Sequence, residues 1–385
     1  MTSQAGRAGL SVSILPANDL AAYADLARRG VSAPAQSVLW VKEWVATATP
    51  EGLVAVVESD GKPVYALALE IVGSGPFRIA RFMSGRHANG NFPAADPAFL
   101  AAGGFDGDTL LAAIRAARPD VDALVLERLL PVLDGIANPL LALPHFPSPN
   151  ISLAVNLEGG FEALLSRASG KRKKKKHRSQ TRKFEAAGGF RRIEAGTPDE
   201  VLRLLDAFFA MKEFRFRKMG VANVFRDAEV QTFFRSLFMD ALRESPPPFL
   251  LHALEVGGTL RAVTGSSLSG TRLVCEFGAI AEDELAHASP GDFLFFENIG
   301  EACRQGLEVF DFSVGDEPYK RLWCDIETRH FDVVAPLTAK GALLARGLRL
   351  KTGVKAYVKN NPVVWKLAKL LRRKAAGQPQ PAGDD

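Results

Sequence analysis

Cysteine is scarce in this sequence, and long apolar runs are missing from it. Among 385 residues there are three cysteines, Cys275, Cys303 and Cys324, an odd number without the spacing of a metal-ligand set. We therefore expect reduced thiols and no bound metal. No run of 18 apolar residues occurs, so no membrane-spanning helix is expected. The first residues also lack the pattern of a secretory signal, and together these features predict a cytoplasmic protein.

Acidic residues are almost absent from two segments. Residues 171–183 carry nine Lys or Arg and no Asp or Glu, and residues 340–385 carry eleven basic and two acidic side chains. Taking these two excesses of nine charges from the net charge of +5 leaves −13 for the rest of the chain. The protein is thus acidic apart from two basic segments, which predicts local contacts with anionic partners.

The order of predicted elements repeats along the chain. With 47% hydrophobic residues, 385 residues suffice for two domains. In each half a strand and helices precede three strands joined by short turns, and a helix and a strand follow. We predict an α/β (α+β) fold of two tandem units, 1–147 and 148–340, joined near Pro144–Asn150 and followed by a basic amphipathic tail, 341–385. Each unit is expected to be a mixed, mainly antiparallel sheet flanked by helices.

The two halves differ where a ligand would bind. In the first half the helix after the three strands begins at Asp106 and Asp108, two acids where an anion would need bare N–H groups. The insert 85–104 shows no obvious ligand chemistry. The second half adds helices rich in phenylalanine, which we interpret as core. We therefore predict a structural first half and an active second half.

The helix predicted from residue 290 carries the first site signal. Ser289 suits the N-cap, Pro290 the first helical position, and Asp292 the acid of a capping box. Small residues at a helix mouth leave N–H groups that bind phosphate, although Asp292 would compete for them. The pattern is compatible with an ordinary capped helix or with a phosphate site formed by Ser289, Pro290, Gly291, Asp292 and Phe293.

The loop 315–320 carries the second signal. Asp316, Tyr319 and Lys320 follow a short apolar strand, and ligands of α/β proteins bind at the carboxyl ends of strands. Glu276, an isolated acid on an earlier strand, is either a catalytic base or an edge or ion-paired residue. Lys320 either binds a substrate oxygen or is a solvated lysine. Asp311 is expected to fix the strand or loop by hydrogen bonds.

The second half resembles the GNAT acyltransferases in its order of strand, helices, three-stranded meander, helix and strand. The residues that carry the resemblance are Ser289-Pro290-Gly291, Gly306, Phe310-Asp311-Phe312, Gly315-Asp316, Tyr319-Lys320, Trp323 and the basic helix ending Arg182-Lys183-Phe184-Glu185. Over about residues 150–340 it is similar to the CelD-like subgroup, named for cellulose biosynthesis and related to the tandem-domain FemABX transferases. The sequence departs from common acetyltransferases by lacking their glycine-rich pyrophosphate loop.

The resemblance implies two tandem GNAT-like domains, the first degenerate, and an N-acetyltransferase that uses acetyl-CoA. The pyrophosphate would lie at residues 289–293, and the acceptor would be an amino sugar of a cell-envelope or exopolysaccharide. Tyr319 would protonate the leaving thiolate, and Asp316 or Glu276 would take the proton of the amine. Lys320 would bind acceptor oxygens or CoA phosphates.

The two basic segments leave alternatives open. The run 171–183, with its charges distributed around a helix, is a solvated helix, a contact for a phosphate-bearing substrate, or an RNA site. FemABX relatives use aminoacyl-tRNA as donor, so a tRNA-dependent transferase is the alternative enzyme. A third alternative is a non-catalytic membrane-surface component of a polysaccharide assembly.

The tail contains a predicted helix from Asn361-Pro362 with one apolar and one basic side. It would either rest on the anionic inner face of the cell membrane or pack on the second unit. The same basic side would suit an anionic regulator such as cyclic di-GMP.

Overall fold

A computed structural model describes residues 9–167 and 169–360, with the side chains of residues 150 and 351–360 excepted. A sheet of thirteen strands runs through both halves, and a small hairpin stands beside it. The strands are β1 (Leu10–Pro16), β2 (Gly52–Ser59), β3 (Lys62–Ser74), β4 (Phe77–Phe82), β5 (Ala94–Ala95), β6 (Ala123–Leu129), β7 (Val132–Leu133), β8 (Ile136–Ala137), β9 (His145–Asn156), β10 (Phe190–Glu194), β11 (Phe249–Val256), β12 (Thr259–Ser269), β13 (Arg272–Ile280), β14 (Val309–Val314) and β15 (Ile326–Pro336).

Helices cover both faces of this sheet. They are α1 (Ala21–Arg29), α2 (Val38–Ala48), α3 (Pro97–Ala101), α4 (Gly107–Ala117), α5 (Gly160–Ser166), α6 (Gly170–Ala186), α7 (Pro198–Met219), α8 (Ala228–Ala241), α9 (Pro290–Arg304), α10 (Pro318–Arg321) and α11 (Ala339–Asn360). The predicted class, a mixed and mainly antiparallel sheet flanked by helices, is confirmed.

The order of strands joins the two halves into one sheet. It runs β1-β2-β3-β4-β6-β15-β9-β14-β13-β12-β11-β10, with β5 beside β3. The pairs β4–β6 and β13–β14 are parallel, and the other ladders are antiparallel. Strand β15 lies between β6 of the first half and β9 of the second. Residues 145–150, expected to join two units, instead form the first part of β9. The division at residues 147 and 340 stays a prediction.

Residues 160–186 form two helices, α5 and α6. The break occurs around Arg167–Ser169, and Ser169 adopts a left-handed conformation with φ 68°. A Cβ on Gly170 would lie 1.7 Å from the carbonyl oxygen of Leu165, so only glycine fits this close return of the chain. Separating α5 from α6 gives the basic helix its own direction, independent of the strand before it.

A single aromatic core spans the two halves on one face of the sheet. Trp40 of α2 packs edge-on against Phe233 of α8, with ring centroids 5.1 Å apart, and Phe249 of β11 lies 5.8 Å from it. The interpretation of the phenylalanine-rich helices as core is confirmed for Phe208, Phe209, Phe233, Phe234 and Phe238, which are buried, and is wrong for Phe214, which is exposed. Burial of each such side chain contributes about 1.5–3 kcal/mol, so this shared core holds the halves together.

The first part of the predicted tail is helix α11, which packs on the strands where the halves meet. Leu344, Ala345 and Leu348 lie against a cluster that includes Ile79 and Val334. None of the described helices is long and apolar enough to cross a membrane. The helix predicted from Asn361 lies outside the described residues. Its proposed contacts with a membrane or with cyclic di-GMP therefore stay predictions.

Candidate functional site

Strands β13 and β14 pair only briefly and then separate. Their parallel ladder holds at Arg272↔Val309, Leu273↔Phe310 and Val274↔Asp311, and no further pairing between them follows in the described chain. Beyond this point a cavity of about 500 Å³ opens, which we call the cleft. Diverging strands leave backbone groups without ladder partners, so the cleft offers a ligand both space and hydrogen-bonding groups.

Strands β12, β13 and β14 and helices α6, α7, α9 and α10 all contribute residues to the lining of the cleft. Residues 275–280 of β13 and 312–314 of β14 form its sides. Helix α7 contributes Lys212 and Arg215, and helix α6 contributes Lys176. The start of α9 and helix α10 with its N-cap supply a set that includes most of the predicted site: Ser289, Gly291, Asp292, Phe295, Glu317, Tyr319 and Lys320.

Glu276 is placed by a β-bulge. The register of β12 and β13 shifts between Gly265 and Ser266, which face Phe277 and Cys275, so Glu276 has no partner of its own in this ladder. Its carboxylate accepts a hydrogen bond from the Ser267 hydroxyl at 2.6 Å. Burial raises the pKa of Glu276 to about 7, against the lowering effect of its hydrogen bonds. A carboxylate with a pKa near neutrality is suited to accept and release protons at physiological pH.

The second hydrogen bond to Glu276 comes from the other half of the molecule. The amide nitrogen of Asn89 donates to the Glu276 carboxylate at 3.0 Å and to its backbone carbonyl at 2.6 Å. The Arg128 guanidinium fixes the loop that carries Asn89 by donating to the carbonyls of Arg86 and Ala88. The expectation that the insert 85–104 has no ligand chemistry is thus wrong for Asn89. Its contact joins residues 187 positions apart, which no local pattern reveals.

Tyr319 lies at the cleft with its ring stacked on Phe295, at a centroid distance of 5.7 Å. The ring of Phe312 on β14 meets it at 6.2 Å. Partial burial raises the pKa of the Tyr319 hydroxyl above its ordinary value. The phenol is therefore protonated at neutral pH and available as a proton donor.

Lys320 holds the end of β14. Its ammonium group donates to the carbonyls of Ser313 at 3.3 Å and Val314 at 2.9 Å and pairs with Glu317 at 3.0 Å. The side chain is 95% buried, so the solvated lysine considered from the sequence is wrong. Lys320 supplies the hydrogen bonds that a neighbouring strand would otherwise give to β14.

Asp316 and Asp311 both serve the loop around β14. Asp316 pairs with Arg321 at 2.6 Å. The acid of this loop that lines the cleft is Glu317, among the residues that the structure describes. Asp311 accepts from the backbone N–H of Ser313 at 2.7 Å and from Arg272 at 3.0 Å. The prediction that Asp311 fixes the strand by hydrogen bonds is confirmed.

The mouth of α9 differs from the predicted capping box. Ser289 adopts a left-handed conformation, and its side chain makes no capping hydrogen bond. The N–H groups of Asp292 and Phe293 donate instead to the Ser289 carbonyl. Asp292 pairs with Lys176 at 2.9 Å, while Pro290 and Phe293 are buried. Few N–H groups thus remain at this helix mouth for a pyrophosphate, and Ser289, Gly291 and Asp292 are the predicted cofactor residues that face the cleft.

Two further cleft residues escaped the sequence analysis. The ammonium group of Lys212 lies 5.6–5.7 Å from the rings of Phe208, Phe216 and Phe225, and burial lowers its pKa to about 8. A lysine amid phenylalanines at helical spacing was the available signal. Cys275 also lines the cleft, but burial raises the pKa of its thiol to about 12, which excludes a thiolate nucleophile at neutral pH.

Charges surround helix α6, as expected. Lys173 lies over the Trp323 ring, Lys174 pairs with Glu162 and Lys176 pairs with Asp292, while the other six basic side chains share an exposed face. The other face packs on α9, where the His177 ring stacks between Phe293 and Phe296 and Gln180 donates to the Ala288 carbonyl. The side chains left exposed are Lys171, Arg172, Lys175, Arg178, Arg182 and Lys183, which we call the basic face. No group of three or more His, Cys, Asp or Glu within the described ranges could hold a metal ion.

Comparisons with known proteins agree with this geometry. Residues 171–321 match the acetyltransferase (GNAT) domain family. No curated protein sequence matches the chain. Among solved structures it is similar to the C-terminal domain of a putative lysylphosphatidylglycerol synthetase from Agrobacterium fabrum, with a TM-score of 0.54, 14% identity and coverage of 89% of this chain and 96% of that chain.

Two other structures show the same fold. FemX matches with a TM-score of 0.54 and 12% identity over 81% of this chain and 95% of that chain. The L-PGS from Bacillus licheniformis matches with a TM-score of 0.50 and 9% identity over 90% and 99%. At these identities the likeness shows the fold alone, and the CelD-like subgroup stays a prediction. Residues 171–321, which match the acetyltransferase (GNAT) domain family, contain the parallel pair β13–β14 that opens beside α9.

Proposed function

We propose that this GNAT domain transfers an acyl group, an acetyl group in the first instance, from a CoA thioester to an amine in the cleft. The observation that carries the proposal is Glu276, a carboxylate with a pKa of about 7 at the point where β13 and β14 separate. The acceptor class that we propose is an amino sugar of a cell-envelope or exopolysaccharide.

The reaction needs two proton movements, and the cleft has a group for each. The amine attacks the thioester carbonyl, the new C–N bond forms and the C–S bond breaks. The Glu276 carboxylate accepts the proton that the amine must lose. Tyr319, whose hydroxyl stays protonated, donates a proton to the departing thiolate. Glu276 is a better base than Asp316, because Asp316 pairs with Arg321 outside the cleft lining.

The cleft also carries charge suited to an acyl donor with phosphate groups. Lys176, Lys212 and Arg215 line it. Lys212 lies among phenylalanine rings, and in such apolar surroundings a cation interacts strongly with an anion. These side chains, rather than the N–H groups of α9, are the proposed contacts for the phosphates of CoA. This arrangement is compatible with the absence of a glycine-rich pyrophosphate loop.

The test is an assay of thiol release from acetyl-CoA with glucosamine and other amines, followed by mass spectrometry of the products. Wild-type protein is expected to release thiol only when an amine is present. Tyr319→Phe should lower kcat by about 10²–10⁴-fold while leaving the Kd for CoA unchanged, because it removes a proton donor and keeps the ring. Wild-type turnover in that variant would exclude Tyr319 from the chemistry.

An aminoacyl-tRNA donor is the second candidate, and the basic face of α6 favours it. This face has six exposed cations, and Lys176 of the same helix lines the cleft. One of the similar structures is by name a domain of a putative lysylphosphatidylglycerol synthetase. If tRNA is the donor, reversing Arg178 and Arg182 to Glu should weaken tRNA retention and flatten its salt dependence. Arg28→Glu, at an exposed position of α1, is the control.

The two candidates separate in one experiment. Release of thiol without any effect of the α6 reversal supports the CoA donor. Transfer of a labelled amino acid from aminoacyl-tRNA, lost in the reversal but kept in Arg28→Glu, supports the tRNA donor. Neither activity in folded wild-type protein would support a non-catalytic role.

A further inference from the structure

A second, smaller cavity lies where the two halves meet, and we call it the junction pocket. Its volume is about 80 Å³. Leu130 and Asp134 line it from the first half, and Arg272 and Thr328 line it from β13 and β15. Glu276 lines both this pocket and the cleft. A molecule in the junction pocket would therefore reach the same carboxylate as a donor in the cleft, from the other side.

The charges of the junction pocket favour a cation. Arg272 donates to the Asp311 carboxylate at 3.0 Å, so its positive charge is already balanced. His330 is fully buried, and burial lowers its pKa to about 4, so it is neutral at physiological pH. The remaining titratable groups in the wall are the carboxyls of Asp134 and Glu276. A protonated amine is attracted to such a pocket, whereas a carboxylate or phosphate meets no unbalanced cation in its described wall.

The neutral groups of the pocket favour hydroxyl partners. Ser152, Ser269 and Thr328 contribute hydroxyls, and Asn89 contributes an amide. Each can both donate and accept, as a hydroxyl of a ligand can. A water molecule occupies about 30 Å³ of liquid, so the pocket holds the equivalent of two or three waters. That space fits an amino group with the carbon and hydroxyl beside it, while a larger acceptor extends past Asp134.

We infer that the junction pocket binds the amine end of the acceptor, and that this acceptor is a primary amine on an uncharged, hydroxylated skeleton with no carboxylate or phosphate beside the amine. The inference rests on the proposed acyl transfer and names its substrate class. The acceptor enters as an ammonium ion and gives one proton to Glu276, and the neutral amine then attacks the acyl carbon held in the cleft. After the C–N bond forms, the second proton passes from the nitrogen to solvent water, the bond from the acyl carbon to the leaving group breaks, and the leaving group departs with the proton of Tyr319.

Serinol and serine form a matched pair of probes. Both are small hydroxylated amines, but serine carries a carboxylate where serinol carries a second hydroxymethyl group. Wild-type protein is expected to acylate serinol with a kcat/KM at least about tenfold above that for serine, a difference of about 1.4 kcal/mol. Equal or better use of serine would overturn the inference.

Two variants locate the site. Thr328→Phe fills the junction pocket and should lower serinol transfer at least about tenfold, with an unchanged Kd for the donor. Arg329→Phe, the exposed next residue of β15, adds the same bulk on the opposite face and should behave as wild type. Asp134→Asn, at an exposed position with φ 49° that asparagine tolerates, should reduce the preference for serinol. Unchanged serinol transfer in Thr328→Phe, together with an unchanged preference for serinol over serine in Asp134→Asn, would overturn the assignment.

Ligand-observed NMR separates this inference from the proposed reaction. Serinol that binds wild type but not Thr328→Phe supports the junction pocket even if no acyl transfer occurs, in which case the proposed function alone fails. Acyl transfer from a bound donor without any serinol binding to the wild-type pocket overturns the inference and keeps the proposed function.

Discussion

The two halves contain the same pair of parallel strands, closed in the first half and open in the second. In the first half β4 and β6 pair at Ile79↔Ala123 and Ala80↔Leu124. The chain after β4 then fills the gap, since Asn91 forms a parallel bridge with Leu129 and β5 pairs with β3. In the second half β13 and β14 separate, and the cleft lies between them.

The helix mouths differ in the same sense. At α4 the Asp106 carboxylate accepts from the N–H groups of Asp108 and Thr109. At α9 Ser289 makes no such side-chain bond, and the nearby acid, Asp292, pairs with Lys176. The same arrangement of strands thus becomes a structural unit when the chain itself supplies the hydrogen bonds for the backbone groups of the separated strands. It becomes a candidate site when a ligand is left to do so.

The first half nevertheless takes part in the site. The segment that closes its own gap, residues 84–95, is the segment that carries Asn89 to Glu276. Trp40 donates to Ser84 at 2.9 Å and so anchors the start of this segment in the shared core. The first half thus supports the Glu276 carboxylate of the second through the hydrogen bond from Asn89.

The strongest test of the comparison uses one buried carboxylate from each half. Glu276→Gln should lower acyl transfer by about 10²–10⁴-fold, because it removes the proposed base while keeping the shape of the side chain. Glu70→Gln is the matched variant, since Glu70 is buried on β3 and bound by Trp44 and Arg81. It should cost stability, by about 1–3 kcal/mol, and leave kcat near wild type. Equal losses of kcat would mean that Glu276 is as structural as Glu70.

The pH dependence of stability gives the next effect. The folded-state pKa of Glu276 is raised to about 7 from 4.5, so the folded protein binds this proton more tightly than the unfolded chain. The contribution of this proton to the free energy of unfolding is fully present below about pH 4.5 and is lost as the pH rises to about 7. The loss is on the order of 3 kcal/mol at most. Urea titrations at pH 5 and pH 8 measure this effect. The free energy of unfolding of Glu276→Gln, relative to that of wild type, should therefore be higher at pH 8 than at pH 5. The same pH dependence in both proteins would contradict the raised pKa.

The contact between the halves is tested by Asn89→Leu. Loss of a hydrogen bond to a carboxylate is worth about 1.5–3 kcal/mol, so kcat/KM should fall by roughly 10–100-fold. The Asn89 hydrogen bond lowers the pKa of Glu276, so its loss should move the acid limb of the pH–rate profile to higher pH. A merely structural role would lower the rate without moving that limb. Asn89→Gln, which keeps an amide, is expected to recover part of the shift.

The smallest effect compares the pair Lys320–Glu317, within the second half, with the pair Lys340–Asp122, which joins α11 to the first half. Lys320→Met leaves the carbonyls of Ser313 and Val314 without their donor and should cost about 1–3 kcal/mol in the free energy of unfolding. Lys340→Met removes a half-exposed lysine from the buried Asp122, which keeps its hydrogen bonds from Arg78 and Thr338, so the loss should be at most about 1 kcal/mol. Thermal unfolding of both variants measures the difference. A Lys320→Met protein as stable as Lys340→Met would mean that water replaces the ammonium group and that β14 needs no such support.

Several elements follow from local sequence alone. The three-stranded meanders are bounded by turn signals such as Gly257-Gly258, and the predicted strands agree with β11, β12 and β13 within one residue at each end. Strand β15, helix α2 and strand β10 were not predicted. Strand β15 depends on partners from two halves, and neither β6 nor β9 is near it in the chain. Such long-range pairing leaves little trace in a local pattern.

The candidate site was predictable only in part, because its residue types can be read from the sequence but its tertiary contacts cannot. The segment 287–323 and Glu276 carry chemistry that the residue types reveal, and Ser289, Gly291, Asp292, Tyr319 and Lys320 do face one cleft. The sequence did not reveal that Lys320 is buried, that Asp316 pairs with Arg321, or that Lys212 lies among three aromatic rings. Each of these facts depends on which side chains fold against a residue, not on its neighbours in the chain.

The sequence by itself determined the alternation of strands and helices, the acidic body with two basic segments, and the identity of the acids and the phenol available for chemistry. Periodicity, turn residues and charge are local properties, and they act before the chain folds. The fold across both halves then set which of two similar strand pairs stays open and which acid has a pKa near neutrality. Burial at the bulge of β13 and the hydrogen bond from Asn89 together set the pKa of Glu276, and both require that the first half is packed against the second.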